Sequence, residues 1–502
     1  MAAWSDGYIT DIQYTNHFYP ELAPGYLAFA CLRQGVRPPR LGPGAAYLEL
    51  GCGHGFSVNL LGAANPGLDF WGVDFNPAQI ANARRLAEAA GLANVTFEDL
   101  SFEQLLALPE GRLPKFDVVA LHGVISWISP ENRALVVRIL ERVLKPGGLA
   151  YVSYNSLPGW GPIIPLRRFV ADHAARNPGD PQVRVLEALK AALALIEGGA
   201  AYFRNAPGLK THIEQALARK PAYLVHEYLN AHAHPLFHAD VAGELDAARL
   251  TFAASATIAD DLPNLAAAAP LIPQIREATD ETWRQTLLDF AGDKAFRRDI
   301  FVRGRNPLSP AERRALMEET RFTVLAPAAS LSFVFAVPVG NLTGHAPVYQ
   351  PIADALAEGP RTYGEIVRLP ALAGVSEGIV MQAMTLLVGG RRIHPVAHGA
   401  ETPGAAGALN RALLDRLAFN ETPTHLASAL AGSGVVVDFD DMLALSGITA
   451  PQGAGLMARF GRGLMKDAET LTDPAALEAD LARRFKAFNK EKLPFFRALG
   501  VV

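Results

Sequence analysis

Apolar and polar residues alternate along residues 46–160 in blocks that predict strands separated by helices. One amphipathic helix is predicted over residues 130–143. Another begins at Pro77, where Asn76 can act as its N-cap and Gly91 ends it. Because the predicted strands and helices alternate along the chain, we expect right-handed crossovers and a parallel sheet. The predicted strands lie at residues 47–50, 68–73, 95–97, 116–121 and 149–154.

The rest of the chain predicts mostly helices. Residues 163–330 are rich in alanine and leucine, and residues 349–396 have the order helix, turn, helix and short strand. We therefore expect an α/β fold with a predominantly helical middle region and a winged-helix-like C-terminal region. The expected domains are an N-terminal helical cap (1–43), an α/β domain (44–162), a helical middle domain (163–342), a winged-helix-like domain (343–400) and a C-terminal helical region (401–502).

The composition restricts the class of protein. The chain has 502 residues, 50% of them hydrophobic, and a formal net charge of −4, which fits a globular protein of several domains. No global basic field is present, so a nucleic-acid partner is not expected. The two cysteines, Cys31 and Cys52, suit a reducing compartment. Neither a signal-peptide pattern nor an apolar run of membrane-spanning length is visible, so we predict a cytoplasmic protein without a membrane span.

A glycine-rich loop follows the first predicted strand. Gly51, Gly53 and Gly55 alternate where the strand ends and a helix begins. Glycine adopts positive φ angles and lets a ligand approach the main chain. A dinucleotide site favours G-x-G-x-x-G, but Phe56 stands where the third glycine is expected and Gly55 comes one residue early. The spacing favours a nucleoside ligand without a pyrophosphate. A tight turn that serves only packing is the alternative.

Polar residues close the successive predicted strands. Glu49, Asp74 and Asp99 are spaced 25 residues apart, which is one strand–helix unit each, and His122 closes the next strand. In open parallel sheets, ligands bind beyond the carboxyl ends of the strands. A single Asp at such a position is more often a helix cap. Three acids in register beside a glycine loop favour nucleoside binding instead.

The positions of these residues predict individual roles. Asp74 is placed to accept hydrogen bonds from two ribose hydroxyls, and Asp99 to accept one from an adenine amino group. Phe75 and Leu100 are placed on either side of the base. The predicted cofactor-binding residues are Glu49, Gly51, Gly53, Gly55, Asp74, Phe75, Asp99, Leu100 and His122.

This segment resembles the class I S-adenosylmethionine-dependent methyltransferases. The resemblance implies a Rossmann-like fold for residues 44–162, S-adenosylmethionine as the cofactor, and one-carbon transfer as the reaction. It rests on residues 48–55 (LELGCGHG), 72–74 (GVD), 97–100 (FEDL), 116–119 (FDVV) and 144–148 (LKPGG).

A closer resemblance extends over most of the chain, to the bacterial, rickettsial-type protein lysine methyltransferases with a methyltransferase regulatory domain. It implies a protein lysine N-methyltransferase. The sequence departs from the family at Ile125, where an aromatic residue is expected, and at Leu157, so the acceptor stays open. The similar blocks are 14–20 (YTNHFYP), 122–127 (HGVISW) and 152–160 (VSYNSLPGW), with 226–230 and 296–303 in the regulatory domain and 349–396 in its winged-helix region.

A lysine acceptor must be neutral and oriented when it attacks the methyl group. Tyr154, Asn155 and His122 are the predicted catalytic residues, because they follow the strands nearest the expected methyl group. The predicted substrate-binding residues are Tyr14, Trp127 and Trp160. The expected partner is a protein substrate, such as an outer-membrane or surface protein before export, and a homodimer is allowed.

Other interpretations remain open at this point. A small-molecule methyltransferase with an oligomerisation region, or a non-catalytic protein that senses S-adenosylmethionine, would have the same cofactor residues. Residues 226–230 (HEYLN) approach a zinc-protease motif, but Asn230 stands where the second His ligand is needed, so no metal is expected. Residues 376–388 lack Arg and Lys, which disfavours a DNA-recognition helix and favours interaction or substrate cradling.

Overall fold

A computed structural model describes residues 6–10, 12, 17–396, 405–467 and 469–502. Its centre is a seven-stranded sheet. The strands are β1 (Ala45–Leu50), β2 (Leu68–Asp74), β3 (Val95–Asp99), β4 (Phe116–Leu121), β5 (Leu144–Asn155), β6 (Leu250–Ser255) and β7 (Phe296–Arg303). Their order across the sheet is β3-β2-β1-β4-β5-β7-β6.

The five predicted strands are confirmed, and they pair in parallel. Two further strands extend the sheet from the region expected to be mainly helical. β7 pairs antiparallel with β5, and β6 pairs antiparallel with β7. The strand order changes direction between β1 and β4, because β2 and β3 follow on one side of β1 and β4 and β5 on the other. In open α/β sheets, ligands bind at the carboxyl ends of the strands where the order changes direction.

Helices cover both faces of the sheet. Tyr47 of β1 packs in one buried cluster and Leu48 in the other, because successive side chains of a strand point to opposite faces. The predicted caps are confirmed: the Asn76 side chain accepts from backbone N–H groups of the following helix, and Pro77 is its first residue. The helices of this part are α1 (Pro24–Arg33), α2 (Phe56–Ala64), α3 (Pro77–Ala89), α4 (Phe102–Ala107) and α5 (Pro130–Val143).

The middle region contains a helical layer with a core of its own. Leu166, Leu189, Ile213 and Leu224 are buried together in this layer. The helices of the region are α6 (Ile163–Arg176), α7 (Pro181–Glu197), α8 (Ala201–Arg204), α9 (Gly208–Leu217), α10 (Pro221–Leu229), α11 (His238–Asp246), α12 (Pro263–Ala266), α13 (Ile272–Glu277), α14 (Glu281–Ala291) and α15 (Pro310–Glu319).

A smaller unit of helices and short strands follows. Its elements are β8 (Arg321–Val324), β9 (Val334–Val337), β10 (Gly340–Thr343), α16 (Ala346–Ala357), β11 (Arg361–Thr362), α17 (Tyr363–Val367), α18 (Glu377–Gly389) and β12 (Ile393–Pro395). β8 lies between β11 and β12 and pairs antiparallel with both. The winged-helix interpretation stays a prediction. The central strand of this small sheet, β8, precedes residues 349–396, from which the winged helix was predicted. The predicted domain boundaries also stay predictions.

The C-terminal region packs against the face of the sheet domain that carries α2. The Asn65 side chain at the end of α2 donates a hydrogen bond to the Gly432 carbonyl oxygen at 2.9 Å. Short hairpins interrupt the helices that the sequence predicts here. The elements are α19 (Ala405–Asp415), β13 (His425–Ser428), β14 (Ser433–Val436), α20 (Phe439–Leu445), α21 (Ala450–Arg459), β15 (Leu464–Lys466), β16 (Glu469–Leu471), α22 (Pro474–Glu491) and α23 (Leu493–Ala498). In the described ranges, no helix has both the length and the apolarity needed to cross a membrane.

Candidate functional site

The glycine loop joins β1 to α2 at the carboxyl edge of the sheet. Gly51, Gly53 and Gly55 have φ angles of 72°, 54° and 65°, in the left-handed region. A Cβ atom on Gly51 or Gly55 would lie within 2.7 Å of a neighbouring side chain, so packing alone requires glycine at both positions. A Cβ atom on Gly53 would have only the Gln79 side chain nearby, at 3.6 Å. Packing therefore does not explain Gly53, whose open surroundings let a ligand approach the main chain.

Glu49 lies near the end of β1 and is only 5% exposed. Its Oε2 atom has no hydrogen-bond partner among the residues that the structure describes. Burial, and to a lesser degree the negative charge of Asp74, raises the pKa of Glu49 to about 8. A buried acid in this condition favours a ligand that brings a positive charge or an N–H donor.

Asp74 ends β2 directly beside the glycine loop. Its Oδ2 atom accepts a hydrogen bond from the Gly53 N–H at 2.9 Å, and Oδ1 accepts one from the Asn76 N–H at 2.9 Å. Burial raises the pKa of Asp74, and these two N–H groups oppose the rise. The Phe75 N–H is a third backbone donor to this carboxylate, which leaves one lone pair able to accept from a ligand hydroxyl. The bond to Gly53 therefore holds the loop and the acid together while leaving the acid able to accept more.

The other predicted adenosine contacts lie at the same edge. Asp99 at the end of β3 is the parallel-register neighbour of Asp74, and it is exposed. The Leu100 N–H donates to the Asp74 main-chain oxygen at 3.1 Å. The ring of Phe75 packs edge-on against Tyr8, with 5.9 Å between the ring centroids. The structure brings these residues together, and their individual roles toward a ligand stay predictions.

The residues at this edge fit S-adenosylmethionine. Asp74 has spare acceptor capacity for ribose hydroxyls, and the exposed Asp99 lies beside it for a base amino group. The unpartnered Oε2 atom of Glu49 suits the cationic end of the ligand, and the surroundings of Gly53 leave room for close approach. Each of these properties is left unexplained by the packing of the protein alone.

His122 follows β4 and forms an aromatic wall with Tyr19. The two ring centroids are 3.8 Å apart, and the ring planes are inclined by 30°. The His122 Nδ1 atom lies 2.9 Å from the Tyr151 hydroxyl, which fixes the ring. Burial, and then the charges of Arg298 and His17, lower the pKa of His122 to about 3. His122 is therefore neutral at physiological pH.

The structure does not bring Tyr154 to this wall. Alternate residues of β5 face opposite sides of the sheet, and Tyr154 faces away from His122 and is 0% exposed. Its hydroxyl donates to Asp299 Oδ2 at 2.6 Å, and Arg297 and His238 contact the same oxygen at 2.9 Å each. The hydroxyl belongs to a buried ion network, so we do not propose it as the catalytic group that the sequence suggested.

Asn155 and the two tryptophans lie in and just after the turns that follow β4 and β5. Asn155 ends β5 opposite Phe296, and its backbone N–H donates to the Ser126 hydroxyl at 2.9 Å. The Trp127 and Trp160 rings pack edge to face, with centroids 6.4 Å apart. The catalytic role of Asn155 and the substrate-binding roles of both tryptophans stay predictions.

The N-terminal segment contributes two aromatic residues, Tyr8 and Tyr19, for which the sequence pattern predicts no role. Tyr14, the predicted substrate-binding residue, lies outside the described residues. Tyr8 packs against Phe75 and against His226, with 5.3 Å between the Tyr8 and His226 centroids, while Tyr19 stacks on His122. The signal in the sequence for Tyr19 is the aromatic block at residues 14–20, which lies far from the glycine loop along the chain.

Two family descriptions match the chain. The family "Methyltransferase domain" matches residues 48–150, and the family "Predicted methyltransferase regulatory domain" matches residues 220–303. The chain is 34% identical to an uncharacterized protein of Synechocystis sp., over 99% of each chain. It is also 34% identical to an uncharacterized protein of Rickettsia prowazekii, over 33% of this chain and 64% of the other.

A solved structure shares the fold over nearly the whole length. PKMT2 from Rickettsia typhi, in complex with AdoHcy, superposes with a TM-score of 0.71. The likeness covers 97% of this chain and 99% of that chain, at 18% sequence identity. The helical and C-terminal regions are therefore part of a shared architecture and not additions peculiar to this chain.

Proposed function

Because this chain belongs to the class I S-adenosylmethionine-dependent methyltransferases that carry a methyltransferase regulatory domain, we propose that it methylates lysine side chains of proteins. The observation that carries the proposal is the aromatic wall beside the cofactor edge, which distant segments of the chain build together. Tyr19 comes from the N-terminal segment and His122 from the sheet domain. An acceptor site assembled in this way suits an extended macromolecular acceptor.

The cofactor supplies an electrophilic methyl group when bound, and the residues of the chain hold, orient and shield the reactants. Glu49, Gly53 and Asp74 would hold the cofactor. His122 lies toward the acceptor side, and its low pKa keeps it uncharged. A neutral ring does not repel an incoming lysine ammonium group, whereas an imidazolium would.

The sequence resemblance to rickettsial-type protein lysine methyltransferases also supports this acceptor class. We propose the cytoplasm as the place of reaction and surface or outer-membrane proteins before export as the acceptors. The similar fold of PKMT2 over 97% of the chain is consistent with this proposal.

Incubation of the protein with methyl-labelled S-adenosylmethionine and a denatured bacterial lysate tests the proposal. We expect the label in the protein fraction, and acid hydrolysis should release it as methyl-lysine. The control is Asp74→Ala, which should give much less label at a low S-adenosylmethionine concentration because it lacks the carboxylate expected to hold the ribose.

The alternatives predict different outcomes of the same experiment. Label in extractable metabolites would contradict the proposal in favour of a small-molecule acceptor. No label in either fraction, with cofactor binding intact, would indicate a protein that only senses S-adenosylmethionine.

A further inference from the structure

A cavity of about 230 Å³ lies beside β6, the edge strand of the central sheet. Three strands separate β6 from β1, whose end carries the glycine loop, so the cavity is distinct from the cofactor edge. We propose that this cavity binds a small acidic amino acid through Arg276, Arg305 and Asp261. The inference does not depend on the acceptor proposed above.

The walls of the cavity come from segments that are distant along the chain. They are β6, α13, α14 and the residues that follow α1 and β7. Except for Gln34 and Arg305, the lining residues lie within 220–303, which matches the family "Predicted methyltransferase regulatory domain". The cavity is therefore built mainly by that domain.

Part of the polar wall is already paired within the fold. Glu281 Oε2 lies 2.7 Å from an Arg284 guanidinium nitrogen, and Glu281 Oε1 accepts from the Gln285 side-chain amide at 3.0 Å. Gln285 Oε1 accepts in turn from the Arg297 guanidinium at 2.8 Å. Because these groups satisfy one another, they give the cavity a fixed wall and add no unpaired charge to it.

Two arginines of the cavity have no acidic partner. Arg305 follows β7, and its Nη1 atom donates to the Phe252 main-chain oxygen at 3.2 Å, which holds the guanidinium in place without neutralising its charge. Arg276 lies on α13 and is exposed. In the described part of the chain, neither guanidinium forms a salt bridge. Both can therefore bind a carboxylate of a ligand.

Asp261 is the acid of the cavity that lacks a cationic partner. The Ser255 N–H lies 3.2 Å from both of its carboxylate oxygens, and the Gln34 side chain donates a further hydrogen bond. Both donors are neutral, and Asp261 forms no salt bridge with any residue that the structure describes. A carboxylate has about four lone-pair sites, so this one can still accept from an ammonium group.

The electrostatics of Asp261 agree with this geometry. Burial raises its pKa to about 7, although the charge of Arg33 and the hydrogen bond from Ser255 oppose the rise. Arg33 is directed at the main chain, where it donates to the Ile258 carbonyl oxygen at 3.1 Å. A cation brought by a ligand would stabilise the ionised carboxylate.

The unpaired charges of the cavity complement an acidic amino acid. Guanidinium groups bind carboxylates through paired N–H donors, and an ionised carboxylate binds an ammonium group. Two guanidinium groups and one carboxylate match a ligand with two carboxylates and one ammonium group. Asp261 would repel a simple dicarboxylate or phosphate, which carries no cation.

The remaining wall and the size of the cavity suit the same ligand. Phe252, Ile275 and Leu288 are buried and offer an apolar surface to methylene groups. Drug-sized ligands occupy pockets of about 300–1,000 Å³, so the smaller cavity fits a smaller molecule.

The test compares L-glutamate with glutarate, which has the same carboxylates but no ammonium group. Binding to the full chain is measured by ligand-observed NMR at pH 8, where most Asp261 is ionised, with saturating S-adenosylhomocysteine to fill the cofactor site. We expect the wild-type protein to prefer L-glutamate by about tenfold or more. Asp261→Asn should abolish this preference.

The arginine variants test the other half of the site. Arg276→Gln and Arg305→Gln should each weaken the binding of both ligands by about tenfold. Both arginines are exposed, so these variants should fold, and circular dichroism checks this. Arg138→Gln, at an exposed arginine of α5, is the matched control and should change neither affinity.

Three results would overturn the inference. The first is equal affinity of the wild-type protein for the two ligands, or binding of neither. The second is unchanged affinity in both Arg276→Gln and Arg305→Gln. The third is L-glutamate binding that disappears when S-adenosylhomocysteine is added, which would place the amino acid at the cofactor edge instead.

Discussion

Two pairs of acids are buried, Glu49 and Asp74 beside the glycine loop and Asp289 and Asp299 on α14 and β7, but the two pairs differ in their cationic partners. Arg297 contacts Asp289 and Asp299 at the same time. Within the described part of the chain, Glu49 and Asp74 form no salt bridge. Asp289 and Asp299 belong to an ion network built by the fold, whereas Glu49 and Asp74 are the acids that we propose contact the cofactor.

The pKa values of Asp299 and Glu49 follow the same division, whereas burial raises the pKa of Asp289 to about 6 although Arg297 opposes the rise. Although burial favours protonation of Asp299, Arg297 and His238 outweigh it and hold the pKa below its ordinary range. Glu49 has no such help, and its pKa rises to about 8. A buried acid whose charge the fold neutralises contributes to stability, whereas one that the fold leaves unpaired indicates a binding site.

The largest effect should come from breaking the complete network. Arg297→Ala would leave Asp289 and Asp299 buried without their cation, and it should lower the free energy of unfolding by about 3–5 kcal/mol. Urea denaturation followed by circular dichroism measures this. The exposed Arg314, 3.5 Å from Glu377, is the control, and Arg314→Ala should cost at most about 1 kcal/mol. Equal losses would show that the buried network has no special role.

At the acids beside the glycine loop, a substitution should lower cofactor affinity and not the free energy of unfolding. Asp74→Ala should weaken S-adenosylmethionine binding by about 10- to 150-fold, because a charged acceptor is worth about 1.5–3 kcal/mol. Calorimetry measures the affinity. Asp69→Ala, at the exposed opposite end of β2, is the matched control. Unchanged affinity in a folded Asp74→Ala variant would remove the acid from the proposed cofactor site.

Substitution of the packed Gly55 should mainly affect stability, whereas substitution of Gly53, with its open surroundings, should mainly affect cofactor binding. Gly53→Ala and Gly55→Ala share the strain of a positive φ angle, but only the Cβ atom at 55 would clash with side chains, the nearest at 2.5 Å. Gly55→Ala should therefore lose about 1–3 kcal/mol more stability. Gly53→Ala should mainly weaken cofactor binding. Thermal melts and calorimetry on both variants check this, and equal destabilisation would contradict the distinction.

Glu49, which has no cationic partner, should also make the stability of the ligand-free protein depend on pH. The pKa of Glu49 rises on folding from about 4.5 to about 8, so the folded state holds more protons than the unfolded state in that window. Stability should therefore fall as pH rises through it, by at most about 1.4 kcal/mol per pH unit. Glu49→Gln should flatten the profile between pH 5 and pH 8 in urea denaturation. A parallel slope in the variant would assign the pH dependence to another group.

The smallest effect concerns the tyrosine that the sequence suggested as catalytic. Tyr154→Phe removes one hydrogen bond to Asp299, which keeps Arg297 and His238, so the loss of stability should be about 1 kcal/mol. Methyl transfer to lysate protein should stay within about threefold, or roughly 0.6 kcal/mol. A hundredfold loss of turnover at unchanged stability would indicate that the Tyr154 hydroxyl is catalytic after all.

The sequence by itself determined the sheet domain and its cofactor edge. Strand lengths, the cap at Asn76, the proline at 77 and the acids spaced 25 residues apart are local signals that need no distant partner. The five parallel strands were predictable for that reason. The positions of Asp74 and Asp99 followed because parallel strands place their carboxyl ends at one edge.

Only the tertiary structure decided which polar residues lie beside the aromatic wall of Tyr19 and His122. Tyr154 lies near the end of the last parallel strand, β5. The neighbouring strand β7 comes from far along the chain, and its Asp299 carboxylate accepts a hydrogen bond from the Tyr154 hydroxyl. His226 lies far from the glycine loop in the chain, and its helix is held over the sheet by contacts that have no local sequence pattern. The physical reason is that strand and helix periodicities fix which residues share a face, whereas the partner of that face depends on long-range packing.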